Sequence, residues 1–562
     1  MLRTLKDREY PARVWMALIA AALACSQAPT TAAPSATPAL PSATDSAGPS
    51  ATNAAVSTSA TVTAEPTTGP TLMPRSASPI LIGTEYVLTD NPSRIGALAE
   101  LLAPIGLPMA KPLPEPFSWG KMQPSPDAAI DFSRLDVFVR EFQEAGFSDF
   151  LIALKSASLW GSRVSSALIT LNPAPRPEYM LAYEAWISSI VERYDADGFA
   201  DMPGLLNPIR YYEIGSEFSS YEPEPVAEYL EVLEHAYAAA HRADENAIVT
   251  HAAFLTTLAF GGNPAPAEYE TAFGEVPDPS HNLADIRRIL DRPDLFDVIN
   301  MHSLGDPYEI EGIVAWLNFE MSARGYQKGI IISDTGTTPF VAWGAATACD
   351  RAPAAMGRII PPAVEADRCR LADYFNELVA GEEDTVRWTQ AFAAEDLVKK
   401  VVVSAEQGIL LINTAFTEDL IWLKLPLFQA GAGTSAWAGL VDVERREHRA
   451  GFYALQQLMR HLDGYERVTR LALDDEGIRV YEISRRRQTL WIAWSDSGRL
   501  ILPGDPVPET ILRLELGASP VTVESLITQF GQTAPDRTVL SPEGGFISLT
   551  LTPTPVFIYR EG

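Results

Sequence analysis

The sequence predicts an α/β domain of parallel strands covered by helices, followed by a smaller domain of antiparallel strands. The first observation is an alternation, over residues 79–464, between short apolar runs and longer segments with helical spacing of apolar residues. Strands separated by helices pair in parallel, and their sheet either closes as a barrel or stays open. The second observation is that only short strand-like runs with turn residues follow in residues 465–562, which is typical of an antiparallel β-sandwich.

Each element is predicted from the period of its apolar residues. The predicted strands of the first domain span residues 80–83, 147–154, 209–214, 247–252, 296–301, 329–332 and 408–412. The predicted helices span residues 132–144, 177–194, 225–242, 308–324, 370–380 and 449–461. The predicted strands of the second domain span residues 478–483, 489–494, 511–516, 521–526, 546–551 and 556–559. No glycine-rich phosphate loop follows the first strand, which argues against a nucleotide-binding sheet.

The N-terminal segment is predicted to be an export signal and a linker. Basic residues precede an apolar stretch at residues 14–24 that is too short to span a bilayer, and small residues then lead to Cys25. This order resembles a bacterial lipoprotein signal at residues 1–25, which implies lipidation of Cys25 and a membrane contact through that anchor alone. Residues 26–78 are almost only Ala, Pro, Ser and Thr, which predicts a disordered linker. We therefore expect an exported protein, anchored at the cell surface or secreted.

Charge and composition exclude several classes of partner. The formal net charge is −29, which repels nucleic acid phosphates and anionic lipid surfaces, so we expect no nucleic-acid role. Neutral ligands such as sugars remain. The chain has 7 histidines, which are scattered, and its cysteines lack zinc-site spacing. We therefore expect no metal and no cofactor, and the sequence leaves the oligomeric state open.

Two cysteines besides Cys25 suggest a disulfide. Cys349 and Cys369 lie in a polar, proline-containing segment and are close enough in sequence to close one loop. Disulfides persist in exported proteins, so we expect these two residues to be bonded, with two unpaired thiols as the alternative.

Two predicted strands end abruptly in a carboxylate. Tyr211-Tyr212-Glu213-Ile214-Gly215-Ser216-Glu217 ends in Glu217, and Ile330-Ile331-Ile332-Ser333-Asp334 ends in Asp334. The ends of buried strands are where α/β barrels hold their catalytic groups, and two carboxylates predict an acid/base pair for glycosidic bond cleavage. The alternative for Asp334 is a turn in which it bonds its own backbone. Glu213 lies deeper on the same strand face as Glu217, and we expect it to be ion-paired.

Most of the chain after the linker resembles the clan A glycoside hydrolases. The resemblance implies a (β/α)8 TIM barrel at residues 79–464 and a C-terminal β-sandwich domain at residues 465–562. The segments that carry it are residues 117–124 with 130–136 for the second strand and helix, 191–198 for the turn before the fourth strand, 297–302 for the sixth strand, 449–455 for the last helix and 554–558 for the closing strand.

The resemblance also implies roles for the two carboxylates. In the family, the general acid/base is a glutamate that ends the fourth strand after an asparagine; Glu217 matches it, with Ser216 in place of the asparagine. The nucleophile ends the seventh strand and is normally a glutamate, which Asp334 replaces here. The implied activity is hydrolysis of O-glycosidic bonds, with retention expected. Because Asp is shorter than Glu, inversion or loss of catalysis are the alternatives.

Further residues are expected to contact a carbohydrate. His302 ends a predicted strand, where it either touches substrate or packs inside. Trp119, Trp160 and Trp343 lie in predicted loops after strands, where exposed aromatic rings stack on sugar faces. An acidic segment containing Asp195, Asp197 and Asp201 hints at calcium but lacks the full ligand set of a calcium loop, so we expect an acidic turn.

Two other functions fit parts of the sequence. One is a surface lipoprotein that binds carbohydrate without cleaving it. The other is an aspartic protease, since Asp334-Thr335-Gly336 resembles the catalytic motif of those enzymes and Asp496-Ser497-Gly498 offers a second half. Aspartic proteases need two aspartates facing each other across two all-β lobes, and the alternation of strand and helix before Asp334 argues against that architecture.

Overall fold

The first part of the chain forms a closed barrel of parallel strands. A computed structural model describes residues 79–85, 91–163, 172–219, 224–256, 259–274, 283–335, 348–350, 363–419, 437–486 and 488–560. The barrel strands, in sequence order, are β1 Leu81–Glu85, β2 Met109–Lys111, β3 Asp149–Leu154, β4 Tyr211–Glu217, β5 Ile248–Leu255, β6 Ile299–His302, β7 Ile330–Asp334 and β8 Leu411–Phe416. Strand β1 pairs in parallel with both β2 and β8, and this second pairing closes the sheet.

Helices alternate with these strands. They are α1 Pro92–Leu102, α2 Trp119–Met122, α3 Ser133–Glu144, α4 Met180–Arg193, α5 Val226–Ala243, α6 Tyr269–Gly274, α7 Leu283–Leu290, α8 Glu309–Ala323, α9 Glu365–Ala380, α10 Glu383–Gln407 and α11 Ala450–Leu462. Helix α3 shows why they form: Leu135, Phe138 and Phe142 recur at helical spacing and are buried on one face. Each such face covers the outside of the barrel and joins its main apolar core.

The C-terminal part is built from antiparallel strands. They are β11 Tyr465–Arg470, β12 Ile478–Arg485, β13 Thr489–Ser495, β14 Thr510–Glu515, β15 Val521–Ser525, β16 Arg537–Leu540, β17 Phe546–Leu551 and β18 Val556–Tyr559, and a separate antiparallel pair, β9 Val441–Asp442 and β10 Glu447–His448, precedes α11. One sheet has the order β11-β12-β13-β18-β15-β16, and β14 pairs with β17 in another. A shared core that includes Val480, Leu512 and Ile547 packs these two sheets together. The predicted fold class, a TIM barrel followed by a β-sandwich, is confirmed.

The barrel interior changes from apolar to polar along the strands. Met109, Leu151, Ile331 and Leu411 form one apolar layer inside it. Since side chains of a strand return to the same face every second residue, the next inward layer contains Lys111, two residues after Met109. Ser333 and Asn413 stand in the same relation to Ile331 and Leu411, and all three polar residues are buried. The interior therefore becomes polar toward the carboxyl ends of the strands.

Aromatic and charged groups join the barrel to the C-terminal sheet. The indole N–H of Trp494 donates to the hydroxyl of Tyr308 at 2.7 Å, and the guanidinium of Arg479 lies 4.1 Å from the centre of the Tyr308 ring. Glu311 on α8 forms ion pairs with Arg479 at 3.2 Å and Arg470 at 3.5 Å. These contacts fix the sheet against the segment that follows β6.

The structure differs from the sequence-based expectation at the second strand. Residues 117–124 were expected to form it, but β2 is Met109–Lys111, and residues 119–122 form the short helix α2. Strand β2 was missed because it is only three residues long and lies between Pro108 and Pro112, so it has no apolar run to detect. No helix within the described part of the chain is both long enough and apolar enough to cross a membrane.

One buried histidine makes the stability of the barrel depend on pH. His251 on β5 is fully buried, and its Nδ1–H donates to the carbonyl of Ala252 at 2.8 Å. Its ring stacks on Phe254, with ring centres 4.2 Å apart. Burial lowers the pKa of His251 to about 4. The native state therefore resists protonation of this ring, whereas the unfolded state accepts the proton near its ordinary pKa.

We predict that His251→Gln removes a component of acid destabilisation. Below about pH 6.5 the unfolded chain binds a proton that the folded chain does not, so wild-type stability falls as the pH drops toward 4. The loss attributable to His251 is about 3 kcal/mol over this window. Urea unfolding of both proteins at several pH values measures it. Parallel stability curves for the two proteins would contradict the assignment.

Candidate active site

Three side chains meet at the carboxyl ends of β4, β6 and β7. A carboxylate oxygen of Glu217, a ring nitrogen of His302 and a carboxylate oxygen of Asp334 all lie within 4.8 Å of one another. His302 and Asp334 are buried, and the Glu217 side chain keeps 15% of its surface exposed. The two carboxylates predicted from the strand ends are therefore brought together with the predicted histidine at the end of the barrel where TIM-barrel chemistry occurs.

An irregularity in β4 precedes Glu217. The pairing of β4 with β5 shifts register between Ile214 and Glu217. Gly215 within this shift has a φ of 97°, which disfavours any residue with a side chain, and a Cβ there would lie 2.5 Å from the amide oxygen of Asn172. The local change of direction is a β-bulge, a feature that re-aims side chains near active sites.

A second irregularity orients Asp334. Residues Met301 and His302 on β6 pair with Ile332 and Asp334 on β7, so the register shifts by one residue at Ser333. As a result, Ser333 and Asp334 both contact groups of the barrel interior, although neighbouring residues of a regular strand point to opposite faces.

His302 connects the two strand ends through both ring nitrogens. Its Nδ1 lies 2.9 Å from Oε1 of Glu217, and its Nε2 lies 2.9 Å from Oγ of Ser333. When Glu217 is ionised it only accepts, so the Nδ1–H donates to it and Nε2 accepts the Ser333 hydroxyl. When Glu217 is protonated, the same contacts form with the opposite tautomer. The ring therefore supports Glu217 in either protonation state.

A buried ammonium lies among acidic groups inside the barrel. Nζ of Lys111 is 2.9 Å from Oε1 of Glu85, 3.3 Å from Oε2 of Glu213 and 3.1 Å from the carbonyl oxygen of Ser333. The carbonyl of Ser333 accepts a hydrogen bond from Lys111, whereas Oε2 of Glu213 forms an ion pair without a hydrogen bond. Burial disfavours the charge of Lys111, but Glu213, Glu85 and Asp334 outweigh it and raise the pKa of Lys111. The expected ion pair of Glu213 is thus with Lys111.

Glu85 is an acidic residue buried beside another acidic residue, Asp334. It ends β1, and only 2% of its surface is exposed. Burial, followed by the charge and hydrogen bonding of the neighbouring Asp334, raises the pKa of Glu85 well above its ordinary value, and Lys111 opposes the change. Sequence reasoning missed Glu85 and Lys111. Glu85 carries the same signal as Glu217, a carboxylate closing a buried run, but the predicted strand ended two residues earlier at Gly83.

The predicted aromatic contacts have different outcomes. Trp119 is fully buried, its N–H donates to Gln123 at 3.0 Å, and its ring meets Trp160 at 4.6 Å. It has no exposed face for a sugar, so we remove it from the candidate site. Trp160 is half-buried and its N–H donates to the carbonyl of Gln123 at 2.7 Å. Trp343 lies outside the described residues, and Ser216 is half-buried beside Glu217.

Two groups of side chains have the composition of cation ligands. The first is Glu217, His302 and Asp334, where the short His302 to Glu217 contact is satisfied by a hydrogen bond without any ion. The second is Glu192, Asp195 and Asp197. In this second group, a carboxylate oxygen of Asp195 accepts a hydrogen bond from the backbone N–H of Asp197 at 3.2 Å. Such a bond is typical of the acidic turn that the sequence predicts. We assign no metal to either group.

Two further expectations from the sequence concern the cysteines and the alternative protease motif. Cys349 is joined to Cys369 on α9 by a disulfide. Cys25 lies outside the described residues. Asp496 follows β13 of the C-terminal sheet, whereas Asp334 ends a strand of the barrel.

Comparison with solved structures finds glycoside hydrolases with the same fold. A family 39 glycoside hydrolase from the gut symbiont Bacteroides cellulosilyticus WH2 superposes with a TM-score of 0.54 at 13% identity, over 86% of this chain and 81% of its own. A glucosidase from Croceicoccus marinus gives 0.49 at 14% identity, over 87% and 98%. A family 51 alpha-L-arabinofuranosidase from Bifidobacterium longum gives 0.49 at 12% identity, over 86% and 96%. At 13% identity, the likeness to the family 39 enzyme concerns the fold alone.

Comparison by sequence finds no relative. No protein-family model matches the chain, and no curated protein matches it.

We predict that Lys111→Met destabilises the protein by about 3–5 kcal/mol at neutral pH, because the buried carboxylate of Glu213 then loses its counter-charge. Chemical denaturation at neutral pH measures the loss. Arg292→Gln, which breaks the exposed pair with Asp294, is the control and should cost less than about 1 kcal/mol. A Lys111→Met protein as stable as the control would contradict the prediction.

Proposed function

We propose that this protein is a glycoside hydrolase that cleaves O-glycosidic bonds with two carboxylates, Glu217 as the general acid/base and Asp334 as the nucleophile. The observation that carries the proposal is the approach of these two groups, with one oxygen of each within 4.8 Å. Hydrolysis of a glycoside needs an acid to protonate the leaving oxygen and a second carboxylate on the other side of the anomeric carbon. The substrate class is carbohydrate, in keeping with the activities of the proteins that share the fold.

The spacing favours retention of configuration. Retaining enzymes hold their carboxyl groups about 5–5.5 Å apart, whereas inverting enzymes hold them about 6.5–9.5 Å apart to admit a water. One oxygen of Glu217 and one of Asp334 lie within 4.8 Å of each other, which supports the shorter, retaining spacing. The register shift at Ser333 changes the course of the backbone just before Asp334, and we infer that it offsets the missing methylene.

His302 acts on Glu217 as a positioning residue in this proposal. During glycosylation Glu217 gives its proton to the leaving oxygen, and during deglycosylation it takes a proton from water. The ring of His302 exchanges donor and acceptor roles between Glu217 and Ser333, so Glu217 keeps one hydrogen bond throughout the cycle. In the family that this chain resembles, an asparagine side chain stands at the position of Ser216. We expect the smaller Ser216 hydroxyl to bind the sugar 2-hydroxyl more weakly than that amide.

A binding protein without turnover is the second candidate. The observation that favours it is the close contact of Asp334 with Glu85, because a nucleophile that is only 6% exposed and hydrogen-bonded to a neighbour is restrained. Such a protein would still bind a carbohydrate at the mouth of the barrel. Turnover separates the two candidates.

We also propose that the chain is an exported lipoprotein, anchored through Cys25 and carried on the linker of residues 26–78. The support is the basic, apolar and small-residue order of residues 1–25. In this arrangement the barrel acts on glycans outside the cell.

We predict that Cys25→Ala releases the protein from the membrane fraction. Lipidation needs the thiol of Cys25. Without the lipid, the exported protein has no membrane anchor and is either released or left unprocessed. Metabolic labelling with an alkynyl fatty acid in a bacterial host should mark the wild type and not the variant. Labelling of Cys25→Ala to the wild-type extent would contradict the proposed anchor.

We predict that Glu217→Gln abolishes hydrolysis of glycosides with poor leaving groups, because no acid then protonates the departing oxygen. Aryl glycosides with activated leaving groups should be affected less. Asp334→Asn should remove activity on both, since the attacking carboxylate is lost. Asp334→Glu restores the longer side chain of the family that this chain resembles. A higher rate in this variant would show that the distance from Asp334 to the substrate limits the wild type. Initial rates on a panel of aryl and natural glycosides measure these effects.

The matched controls are Glu231→Gln and Asp294→Asn, which alter carboxylates paired with arginines away from the site. Both should leave turnover unchanged. If the wild type and Asp334→Glu are inert across the panel while sugars still bind, the binding protein is the correct function.

A further inference from the structure

Glu85 brings a third carboxyl group to the candidate site. It ends β1 and projects into the barrel from the same face as Gly83, whose inward space is filled by Asn413. Its Oε1 lies 2.9 Å from Nζ of Lys111, and its carboxyl group is within hydrogen-bonding reach of Asp334. Glu85 is therefore buried against the proposed nucleophile, with only 2% of its surface exposed.

Two buried carboxyl groups in contact hold a proton between them. Ionised carboxylates only accept hydrogen bonds, so a bond between Glu85 and Asp334 requires one of them to be protonated. Lys111 does not remove this requirement, because its single charge also faces Glu213. Among the described residues, no donor reaches Oε2 of Glu85, which is buried. Burial and the charge of Asp334 raise the pKa of Glu85, in agreement with Glu85 as the site of the proton.

We propose that Glu85 is a positioning residue that keeps a proton at neutral pH and donates it in a hydrogen bond to the carboxylate of Asp334. This bond fixes the orientation of Asp334 and stabilises its ionised form. The catalytic consequence rests on the proposed glycosidase function, whereas the protonation of Glu85 does not.

The surroundings of Glu85 agree with this role. The titratable groups that face it are Lys111 from β2 and Asp334 from β7, while Glu213 from β4 acts through Lys111. Strand β8 contributes the neutral Asn413. With one proton on Glu85, Lys111 balances the charge of Glu213, and Asp334 keeps the remaining negative charge. A nucleophile needs that charge, and a shared proton in a carboxyl pair is the arrangement that preserves it on one partner.

Two substitutions of Glu85 separate positioning from packing. Glu85→Leu removes the donor, and we expect kcat on an activated aryl glycoside to fall about 100-fold with KM nearly unchanged. Glu85→Gln keeps an N–H donor and should stay within about tenfold of the wild type. Equal kcat values for the two variants would overturn the proposal.

An infrared measurement tests the proton without any turnover. At neutral pH the wild type should show an absorption of a protonated carboxyl group that Glu85→Gln lacks. Glu311→Gln, which alters a half-buried carboxylate held by arginines on α8, is the control and should retain the absorption. An identical carboxyl spectrum for wild type and Glu85→Gln would overturn the proposal. If the band is lost as expected but no glycoside is cleaved, the protonation of Glu85 stands and only the proposed glycosidase function fails.

Discussion

The buried ammonium of Lys111 is the interaction on which the active end of this barrel depends. One side chain, from a strand of three residues, contacts carboxylates on β1 and β4 and a carbonyl on β7. Without a cation at this depth, the carboxylate of Glu213 would be an uncompensated charge in a medium that solvates it poorly. The lysine that ends β2 therefore stabilises the polar layer at the carboxyl ends of the strands. The apolar layer below supplies the packing that holds these strands in place.

Backbone irregularities then decide where the reactive groups point. The shift near Gly215 in β4 and the shift at Ser333 in β7 both occur within two residues of a proposed catalytic carboxylate. A regular strand would send Ser333 and Asp334 to opposite faces, and only one of them could serve the interior. With the shift, Ser333 supports His302 while Asp334 faces Glu85. Spacing at the site is thus set by the main chain as much as by side-chain length.

The sequence predicts the strands with long apolar runs and the two carboxylates that end them, because burial leaves a clear period in the residues. It does not reveal β2, where Met109-Ala110-Lys111 between prolines resembles a loop. Trp119 shows another limit: an aromatic residue in a loop can face a ligand or the core, and only the packing around Gln123 and Trp160 decides it. Register shifts leave no periodic signal in the sequence. The close approach of Glu217, His302 and Asp334 could therefore not be predicted from the sequence.

The aspartate in place of a glutamate at the end of β7 does not by itself argue against catalysis. One oxygen of Asp334 still lies within 4.8 Å of one oxygen of Glu217, despite the shorter side chain. The decisive question is the distribution of protons. In the proposed mechanism, Glu217 carries a proton when the leaving group departs, while Asp334 is ionised. The two groups have different surroundings suited to these roles, since Glu217 is partly exposed beside His302 and Asp334 lies deeper against Glu85. Such a difference in environment is what separates an acid from a nucleophile in a carboxylate pair.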